Sequence, residues 1–266
     1  MRACWGGMSL VLGCGFSATA VDPDARVDAA DLDAALDTSP VARVRDGLIA
    51  LWAFDETSGA TISDTSGVLP PITLSISDPA MVAWADSSLR VNGGVDINSA
   101  GVFNRLVPKC KVSDEVTLEA WVTAANIEQR GQPGFPARIV AMTVKNIAGH
   151  LISLDQDGSS WGAHVLTKTA GVDLHGGPML TNGTVDLTLT HLVVTSTPSQ
   201  RQFFVNGVAV SDAFGGLLDD WKDTFFVTMA GDPNRRNTWL GTIHLVAVYD
   251  RALPSSDVMT NYVAGP

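Results

Sequence analysis

The feature that most constrains this chain is a long succession of short β-type runs separated by turn residues. From residue 41 onward, runs rich in Val, Ile, Thr and aromatic residues alternate with Gly, Pro, Asn and Asp, and apolar residues hardly ever recur at helical spacing. Asn206-Gly207 and Asp157-Gly158 each separate two such runs, and both dipeptides favour tight hairpin turns. The pattern therefore predicts an antiparallel all-β domain over residues 41–266.

Five sequence phrases follow one another within this domain. They are Trp-Ala-Phe-Asp-Glu at 52–56, Val-Thr-Leu-Glu-Ala-Trp-Val at 116–122, His-Leu-Val-Val-Thr at 191–195, Val-Asn-Gly at 205–207 and Tyr-Asp-Arg-Ala-Leu at 249–253. In this order they resemble the laminin-G-like domains of the concanavalin A-like lectin/glucanase superfamily. The resemblance implies a jelly-roll β-sandwich of two antiparallel sheets, in which the first and last strands pair with each other.

The end of the chain predicts one short helix after the closing strand. Ser255 follows Pro254 and is a residue type that caps helices, and Val258, Met259 and Tyr262 then recur at helical spacing. We therefore expect the sandwich to end in a C-terminal helix that begins with a Ser255 cap.

Composition limits the class of protein. Hydrophobic residues make up 45% of the chain and charged residues 17%, which is typical of a packed core. There are 17 basic and 28 acidic residues, and this balance argues against nucleic acid as a partner. Three cysteines, none at zinc-ligand spacing, provide no disulfide framework. Cys110 is therefore expected to be a lone thiol with a packing role.

The first 40 residues predict an export signal followed by a linker. Met1-Arg2 precedes an apolar run that ends in Leu12-Gly13-Cys14, and this boundary resembles the lipobox of bacterial lipoproteins, where the cysteine thiol takes a lipid. Residues 1–14 are then a signal peptide and Cys14 is the lipidation site. Residues 15–40, which are rich in Asp and Ala, are expected to be a disordered acidic linker. An ordinary cleaved signal is the alternative.

The predicted lipoprotein signal implies a secreted protein that reaches the membrane only through its lipid anchor. The expected location is the bacterial cell envelope, at the outer membrane or the cell surface. No stretch reaches the ~18 apolar residues of a membrane-spanning helix.

A metal is not expected, although the resemblance raises the question. Many laminin-G-like domains hold a structural calcium ion near the first turn, and Asp55 and Asp64 are the residues that would carry it here. The segment after Gly67 and the His244-Leu245 pair in the closing strand depart from the family pattern. We therefore predict no cofactor, with a structural calcium ion as the alternative.

The sequence lacks a local signal for catalysis. Glycoside hydrolases need two carboxylates that flank the scissile bond, whereas the four glutamates of this chain form no such motif, and Glu119 reads as the exposed residue of a half-buried strand. No Gly-x-Ser-x-Gly motif is present. The prediction is a non-catalytic recognition or adhesion module. A carbohydrate-active enzyme, or an accessory domain of one, and a passive structural envelope protein are the alternatives.

The expected partner is a glycan or a surface protein, and the sequence does not indicate an oligomeric state. Exposed aromatic rings commonly hold sugars, which directs attention to tryptophans outside the strand centres. Trp221, within a polar Asp-Asp-Trp-Lys-Asp segment, is the leading candidate for ligand binding, and Trp161 is a weaker one. The alternative for both residues is that they close an end of the sandwich.

Overall fold

The computed structural model describes residues 41–99, 106–143, 150–168, 179–181, 185–221 and 225–266. The chain divides into two units after Ser39, and every described residue belongs to the second unit, Pro40–Pro266. The predicted signal peptide, the acidic linker and Cys14 lie outside the described residues.

The described residues form two antiparallel sheets of eight strands each, so the predicted β-sandwich is confirmed. The first sheet has the spatial order β14-β13-β12-β7-β16-β5-β4, with β1 also paired to β16. Its strands are β1 (Leu48–Trp52), β4 (Val82–Ala85), β5 (Ser88–Val91), β7 (Val116–Ala124), β12 (Thr190–Ser196), β13 (Gln200–Val205), β14 (Val208–Phe214) and β16 (Gly241–Tyr249).

The second sheet has the order β11-β10-β9-β8-β15-β6-β3-β2. Its strands are β2 (Thr61–Ile62), β3 (Leu74–Ile76), β6 (Ile97–Ser99), β8 (Ala137–Thr143), β9 (His150–Asp157), β10 (Ser160–Val165), β11 (Met179–Leu180) and β15 (Phe226–Met229). A 3₁₀ turn, Pro79–Met81, precedes β4.

The main core lies between the two sheets. It contains the fully buried rings of Trp52, Trp239 and Phe203. The first and last strands of the domain lie side by side in the first sheet. Strand β1 pairs with β16, from Leu48 opposite Tyr249 to Trp52 opposite Val246. The predicted pairing of the first and last strands is therefore confirmed.

Both predicted hairpins are present. Asn206 and Gly207 have φ angles of 51° and 77° and join β13 to β14, as a tight turn with two left-handed residues requires. Gly158, with a φ of 61°, lies in the turn between β9 and β10. These dipeptides were informative because the turn type restricts which residues it accepts.

The helices differ from the sequence prediction in two respects. Helix α1 (Leu106–Ser113) was not predicted, because two lysines and Pro108 leave its eight residues without an apolar stripe. Its Cys110 is buried as expected, and burial raises the pKa of the thiol. Helix α2 (Ser255–Ala264) was predicted, but the cap was wrong: Pro254 is the cap residue, and no side chain makes a capping hydrogen bond. Neither described helix has the length and apolarity needed to cross a membrane.

Candidate functional site

A surface cavity lies beside the loop that joins β7 to β8. Its volume is about 280 Å³, and its lining residues come from this loop and from the end of β9: Arg130, Gly131, Gln132, Pro133, Gly134, Phe135 and Asp157. The loop closes on itself, because the Gly131 N–H donates to the Phe135 carbonyl over 3.0 Å and the Phe135 N–H donates to the Gln132 carbonyl over 2.8 Å. Within this turn Gly134 takes a φ of 85°, which favours glycine.

An exposed aromatic ring and an ion pair both line the cavity. Phe135 remains 44% exposed, and the Arg130 guanidinium donates to the Asp157 carboxylate in the lining of the cavity. Behind them, the Gly158 N–H donates to the Gln129 carbonyl over 2.8 Å, which holds the loop against the β9–β10 turn. An apolar ring and a few polar groups therefore face the same space, as is typical of ligand sites.

Asn237 connects this loop to the neighbouring loop between β15 and β16. Its side-chain oxygen accepts a 2.9 Å hydrogen bond from the Gln132 N–H, and its side-chain nitrogen donates to Asp232 Oδ2 over 2.6 Å. A Cβ at position 131 would lie 2.4 Å from the Asn237 oxygen, so only glycine fits there. The two loops are therefore fixed to each other at the edge of the cavity.

The β15–β16 loop has an unusual backbone. Ala230, Asn234, Arg235 and Asn237 all have positive φ angles, between 50° and 68°. Left-handed residues other than glycine cost free energy and persist where the surrounding structure holds them. In this loop they expose Arg235 and its neighbour Arg236.

A buried charged cluster lies beneath Asn237, on the face of the second sheet that is turned away from the core. Arg138 Nη1 donates to Asp155 Oδ1 over 2.5 Å and to Ser153 Oγ over 2.9 Å, and Ser153 Oγ donates to Asp155 Oδ2 over 3.0 Å. Asp232 Oδ1 lies 3.5 Å from Arg138 Nε and 3.6 Å from His150 Nε2. We call these five residues the Arg138 cluster.

The Arg138 cluster is incompletely paired. Arg138 Nε, His150 Nδ1 and Asp232 Oδ1 are buried and make no hydrogen bond with any residue that the structure describes, and neither does Thr228 Oγ1 on the neighbouring strand. Burial raises the pKa of Asp155, although Arg138 and Ser153 oppose the shift. Burial, together with the charges of Arg138 and His164, lowers the pKa of His150 to about 3. His150 is therefore neutral at pH 7.

A second buried cluster lies on the opposite outer face, between the first sheet and α2. Glu119 is fully buried there, so its predicted exposure was wrong. Its carboxylate accepts hydrogen bonds from Arg43, from His191 Nε2 over 2.8 Å, from Asn261 Nδ2 over 2.8 Å and from the Tyr249 hydroxyl over 3.4 Å. We call these five residues the Glu119 cluster.

The pKa of Glu119 reflects the hydrogen bonds that its carboxylate accepts, although the buried His191 Nδ1 of the same cluster has no partner among the described residues. Burial alone raises it, but the hydrogen bonds and charges of His191 and Arg43 outweigh burial and lower the pKa to about 2. Arg43 Nη2 also donates to the Gly265 carbonyl over 2.5 Å. The cluster thereby ties the start of the domain to its end and has a structural role.

The structure places both predicted ligand-binding tryptophans in the interior. Trp221 is 2% exposed, and its indole N–H donates to the Leu166 carbonyl over 2.7 Å. Trp161 is fully buried in the main core. The expectation of an exposed Trp221 ring was wrong, because a position in a polar loop does not determine which way the ring points. Neither ring has a free face for a sugar.

Sequence reasoning missed Phe135. The available signal was its position in Gly131-Gln132-Pro133-Gly134-Phe135-Pro136. A large aromatic residue between Gly and Pro residues belongs to a turn rather than to a strand, and short turns on the surface leave side chains exposed.

The carboxylates of the first turn accept hydrogen bonds from backbone N–H groups and from a serine hydroxyl. Asp64 Oδ1 accepts from the Leu51 and Ser66 N–H groups over 3.2 and 2.9 Å, and Asp64 Oδ2 accepts from the Ile72 N–H over 3.1 Å. Asp55 Oδ1 accepts from the Ser87 hydroxyl over 3.1 Å. Across the part of the chain that the structure describes, no three His, Cys, Asp or Glu side chains are arranged to hold a metal ion.

Comparisons with known proteins agree with this fold. The Laminin_G_3 family model, described as the concanavalin A-like lectin/glucanases superfamily, matches residues 94–259. Trypanosoma rangeli sialidase in complex with 2,3-difluorosialic acid superposes with a TM-score of 0.60 and 16% identity, over 82% of this chain and 33% of the sialidase chain. The structure described as HCR/D-Sa-GBL1/C superposes with a TM-score of 0.57 and 13% identity, over 82% of this chain and 52% of that chain.

This chain therefore spans about a third of the sialidase and half of the other protein. At such identities the likeness concerns the fold alone. The search of curated proteins found no match.

Proposed function

Because this chain belongs to the Laminin_G_3 family of the concanavalin A-like lectin/glucanase superfamily, we propose that its sandwich is a non-catalytic module that recognises glycans. The observation that carries the proposal is the cavity that Phe135 and the Arg130–Asp157 pair line together. Two of the similar structures are sialidase complexes with sialic acid or an analogue of it, which supports a sugar as the class of ligand.

The chemistry of the cavity suits a sugar ring. One face of a pyranose ring is lined by C–H groups and packs against an aromatic face, while its hydroxyls need donors and acceptors. Phe135 supplies the apolar face, Arg130 supplies donors, and Asp157 supplies acceptors. The loop is fixed by its own hydrogen bonds and by Asn237, so the site is formed before the ligand arrives, and less conformational freedom is lost on binding.

The carboxylates near the cavity support binding rather than hydrolysis. Asp155 and Asp157 project from the same side of β9, a spacing of roughly 6.6 Å along a strand. A hydrolase needs one of two such groups to attack or to activate water and the other to donate a proton. Here Arg138 and Ser153 hold Asp155, and Arg130 holds Asp157. The presence of two carboxylates, Asp155 and Asp157, on one side of β9 is nevertheless the observation in favour of the hydrolase alternative.

We also propose that the module is displayed on the bacterial cell envelope, with Cys14 as its lipid anchor. The support is the Leu12-Gly13-Cys14 boundary and the acidic stretch that follows it. Mass spectrometry of the full chain made in a bacterial host should show an N-terminal, acylated Cys14. A mature chain that begins at another residue contradicts the anchor but leaves the glycan site unaffected.

The test of glycan recognition is a binding screen with the full chain and two phenylalanine variants. Immobilised neutral and acidic polysaccharides are scored for retention of the protein, and new reducing ends are measured in parallel. Phe135→Ala should weaken binding about tenfold or more, because an aromatic contact at the centre of a site is worth roughly 1.4 kcal/mol or more. Phe214→Ala is the matched control, because Phe214 is 88% exposed on the edge strand β14.

Each outcome separates two functions. Retention that depends on Phe135 and not on Phe214 supports glycan recognition at this cavity. New reducing ends that disappear in Asp157→Asn favour the hydrolase alternative. Retention of envelope proteins but of no polysaccharide favours a protein partner, and retention of nothing favours a passive structural role.

A further inference from the structure

A buried pair of glutamine side chains adjoins the Arg130–Asp157 ion pair. Gln129 precedes Arg130 in the sequence, and Gln156 precedes Asp157. The Gln129 side-chain nitrogen donates to the Gln156 side-chain oxygen over 3.0 Å, and both glutamines are buried. Each member of the exposed ion pair is therefore the sequence neighbour of one member of the buried amide pair.

The amide of Gln156 uses all of its hydrogen-bonding positions. Its nitrogen donates to the Asn126 carbonyl over 2.9 Å and to the Gly158 carbonyl over 3.0 Å. Its oxygen accepts from Trp239 Nε1 over 2.9 Å, in addition to the bond from Gln129. A buried amide with all its bonds made is held rigidly, because any displacement leaves a polar partner unpaired.

The side chain of Gln129 ties the cavity loop to the start of β16. Its nitrogen donates to the Leu240 carbonyl over 2.7 Å, and its oxygen accepts from the Leu240 N–H over 2.6 Å. The Gln129 carbonyl accepts from the Gly158 N–H over 2.8 Å. The two glutamines therefore join the β7–β8 loop, the β9–β10 turn and the residue before β16 at one place.

The Arg130 guanidinium lies against the turn that the glutamines hold. A Cβ at Gly158 would lie 2.6 Å from Arg130 Nη2 and 3.1 Å from Arg130 Cζ, so the lack of a side chain there makes room for the guanidinium. Successive residues of a strand point to opposite faces, so Asp157 points outward where Gln156 points inward. The buried amides thus set the backbone positions from which both charged side chains extend.

The ion pair has donors and acceptors left for a ligand, but its two charges cancel. The side chains of Arg130 and Asp157 are 62% and 31% exposed. A guanidinium has several N–H donors and a carboxylate several acceptor sites, so the bond between them leaves most of these free. A hydroxyl group both donates and accepts. Two adjacent hydroxyls of a sugar ring can therefore bond to the two side chains together.

We propose that the Arg130–Asp157 pair recognises two adjacent hydroxyl groups of a neutral sugar ring. The Gln129–Gln156 pair fixes these two side chains relative to each other and thereby decides which arrangement of hydroxyls fits. The glutamines are positioning residues, since they act through the ion pair and not on the ligand. This inference rests on the proposed function and adds to it the part of the sugar that is recognised.

The experiment measures the affinity of the full chain for three neutral polysaccharides. Dextran, mannan and galactan present glucose, mannose and galactose rings, whose hydroxyls differ in orientation. We expect one of them to bind about tenfold or more tightly than another, because a hydroxyl that misses its partner leaves a polar group unpaired. Equal affinity for all three, or binding of acidic polysaccharides only, overturns the inference and leaves glycan recognition standing.

Gln156→Glu tests the positioning role. The variant keeps the shape of the side chain and its acceptor oxygen, but it loses the N–H donors that hold Asn126 and Gly158. Binding of the preferred polysaccharide by the folded protein should weaken about tenfold, and the discrimination among the three should decrease. If circular dichroism shows that this variant does not fold, Gln129→Met breaks the same link from the other side and should have the same effect.

A second substitution separates positioning from stability. Since Gln156 acts through the ion pair, Gln156→Glu should weaken binding about tenfold in the unmodified chain and hardly at all in the Asp157→Asn variant. Such coupling is not expected of a residue that only stabilises the fold. An equal loss in both backgrounds overturns the inference.

Thr117→Val is the matched control. Thr117 is buried at the opposite end of β7, where its hydroxyl donates to the Arg251 carbonyl over 2.8 Å and accepts from the Leu253 N–H over 2.9 Å. The variant should lower stability but leave affinity and discrimination unchanged. If it weakens binding as much as Gln156→Glu, the effect is one of stability and the inference is overturned. If no polysaccharide of the wider screen binds, the proposed function fails together with the inference.

Discussion

Glu119 and Asp155 are both buried carboxylates that face an arginine, yet their surroundings shift their pKa values in opposite directions. Glu119 receives hydrogen bonds from four other residues, which come from distant parts of the chain. Asp155 receives hydrogen bonds from only two of the described residues, Arg138 and Ser153. Burial is common to both groups, so pairing decides the sign of the shift.

The difference also separates a structural cluster from the surroundings of a site. The Glu119 cluster joins the start of the domain to α2 and lies away from the cavity. The Arg138 cluster lies under Asn237, which positions the cavity loop. Polar groups without partners cost free energy, and among the described residues the Arg138 cluster has three such buried atoms, whereas the Glu119 cluster has one, His191 Nδ1. A chain tolerates this cost most readily where function requires the arrangement.

The largest effect should come from Glu119. Glu119→Gln keeps the shape of the side chain but removes the negative charge that faces Arg43 inside the protein. Breaking a buried ion pair on one side costs about 3–5 kcal/mol. The free energy of unfolding, measured by urea titration, should fall by that amount. Glu128→Gln is the control, because Glu128 is an exposed residue of the β7–β8 loop.

Acid should likewise lower the free energy of unfolding of the unmodified chain. The folded-state pKa of Glu119, about 2, is depressed from 4.5, so the stabilisation is present above pH 4.5 and is lost as the pH falls towards 2. The Glu119→Gln variant should lack this part of the acid dependence. An equal loss in both proteins would show that the complete pairing of Glu119 contributes nothing.

A smaller effect is expected from Asp155. Asp155→Asn should lower the free energy of unfolding by about 1–2 kcal/mol, as for one buried hydrogen-bonded group. The cost is smaller because the Asp155 pKa is already raised and because Asp232 still faces Arg138. Asp157→Asn is the control, since its ion pair with Arg130 is exposed and contributes at most about 1 kcal/mol. A loss at Asp155 as large as that at Glu119 would remove the distinction between the two clusters.

Local sequence signals predicted the fold well, for physical reasons. The Asn206-Gly207 and Asp157-Gly158 turns need residues that accept positive φ, so these dipeptides reveal the hairpins. The family resemblance added the pairing of β1 with β16, which is now observed. Turn chemistry and strand alternation act over a few residues and are therefore visible in a single sequence.

The two clusters and the cavity could not be predicted in this way. Glu119 has the sequence pattern of an exposed strand residue, but α2 covers it from 142 positions away in the chain. Likewise Arg43 reaches Glu119 across 76 positions. The buried orientation of Trp221 and the exposed ring of Phe135 depend on how loops pack. Such long-range contacts leave no local period or spacing.

The smallest effect, and the one that isolates the Arg138 cluster, is the pH dependence that His150 contributes. Its pKa falls from 6.5 in the unfolded chain to about 3 in the folded protein, so the unfolded state binds a proton first. The stabilisation is present above pH 6.5 and decreases as the pH falls towards 3. Between pH 7 and 5.5 the unmodified chain should therefore lose about 1 kcal/mol that His150→Gln does not lose.

Urea titrations at several pH values measure this difference as the slope of the unfolding free energy against pH. A cost of the substitution that is the same at every pH does not change that slope. His244→Gln is the control, because burial lowers the pKa of His244 in the same direction and its smaller burial predicts a smaller change of slope. If His150→Gln leaves the slope unchanged, the pKa of His150 is the same in the folded and the unfolded chain. If the unmodified chain instead gains stability as the pH falls from 7 to 5.5, His150 is protonated in the folded protein. A protonated His150 would make its 3.6 Å contact with Asp232 an ion pair, and the Arg138 cluster would then hold two ion pairs to Asp232.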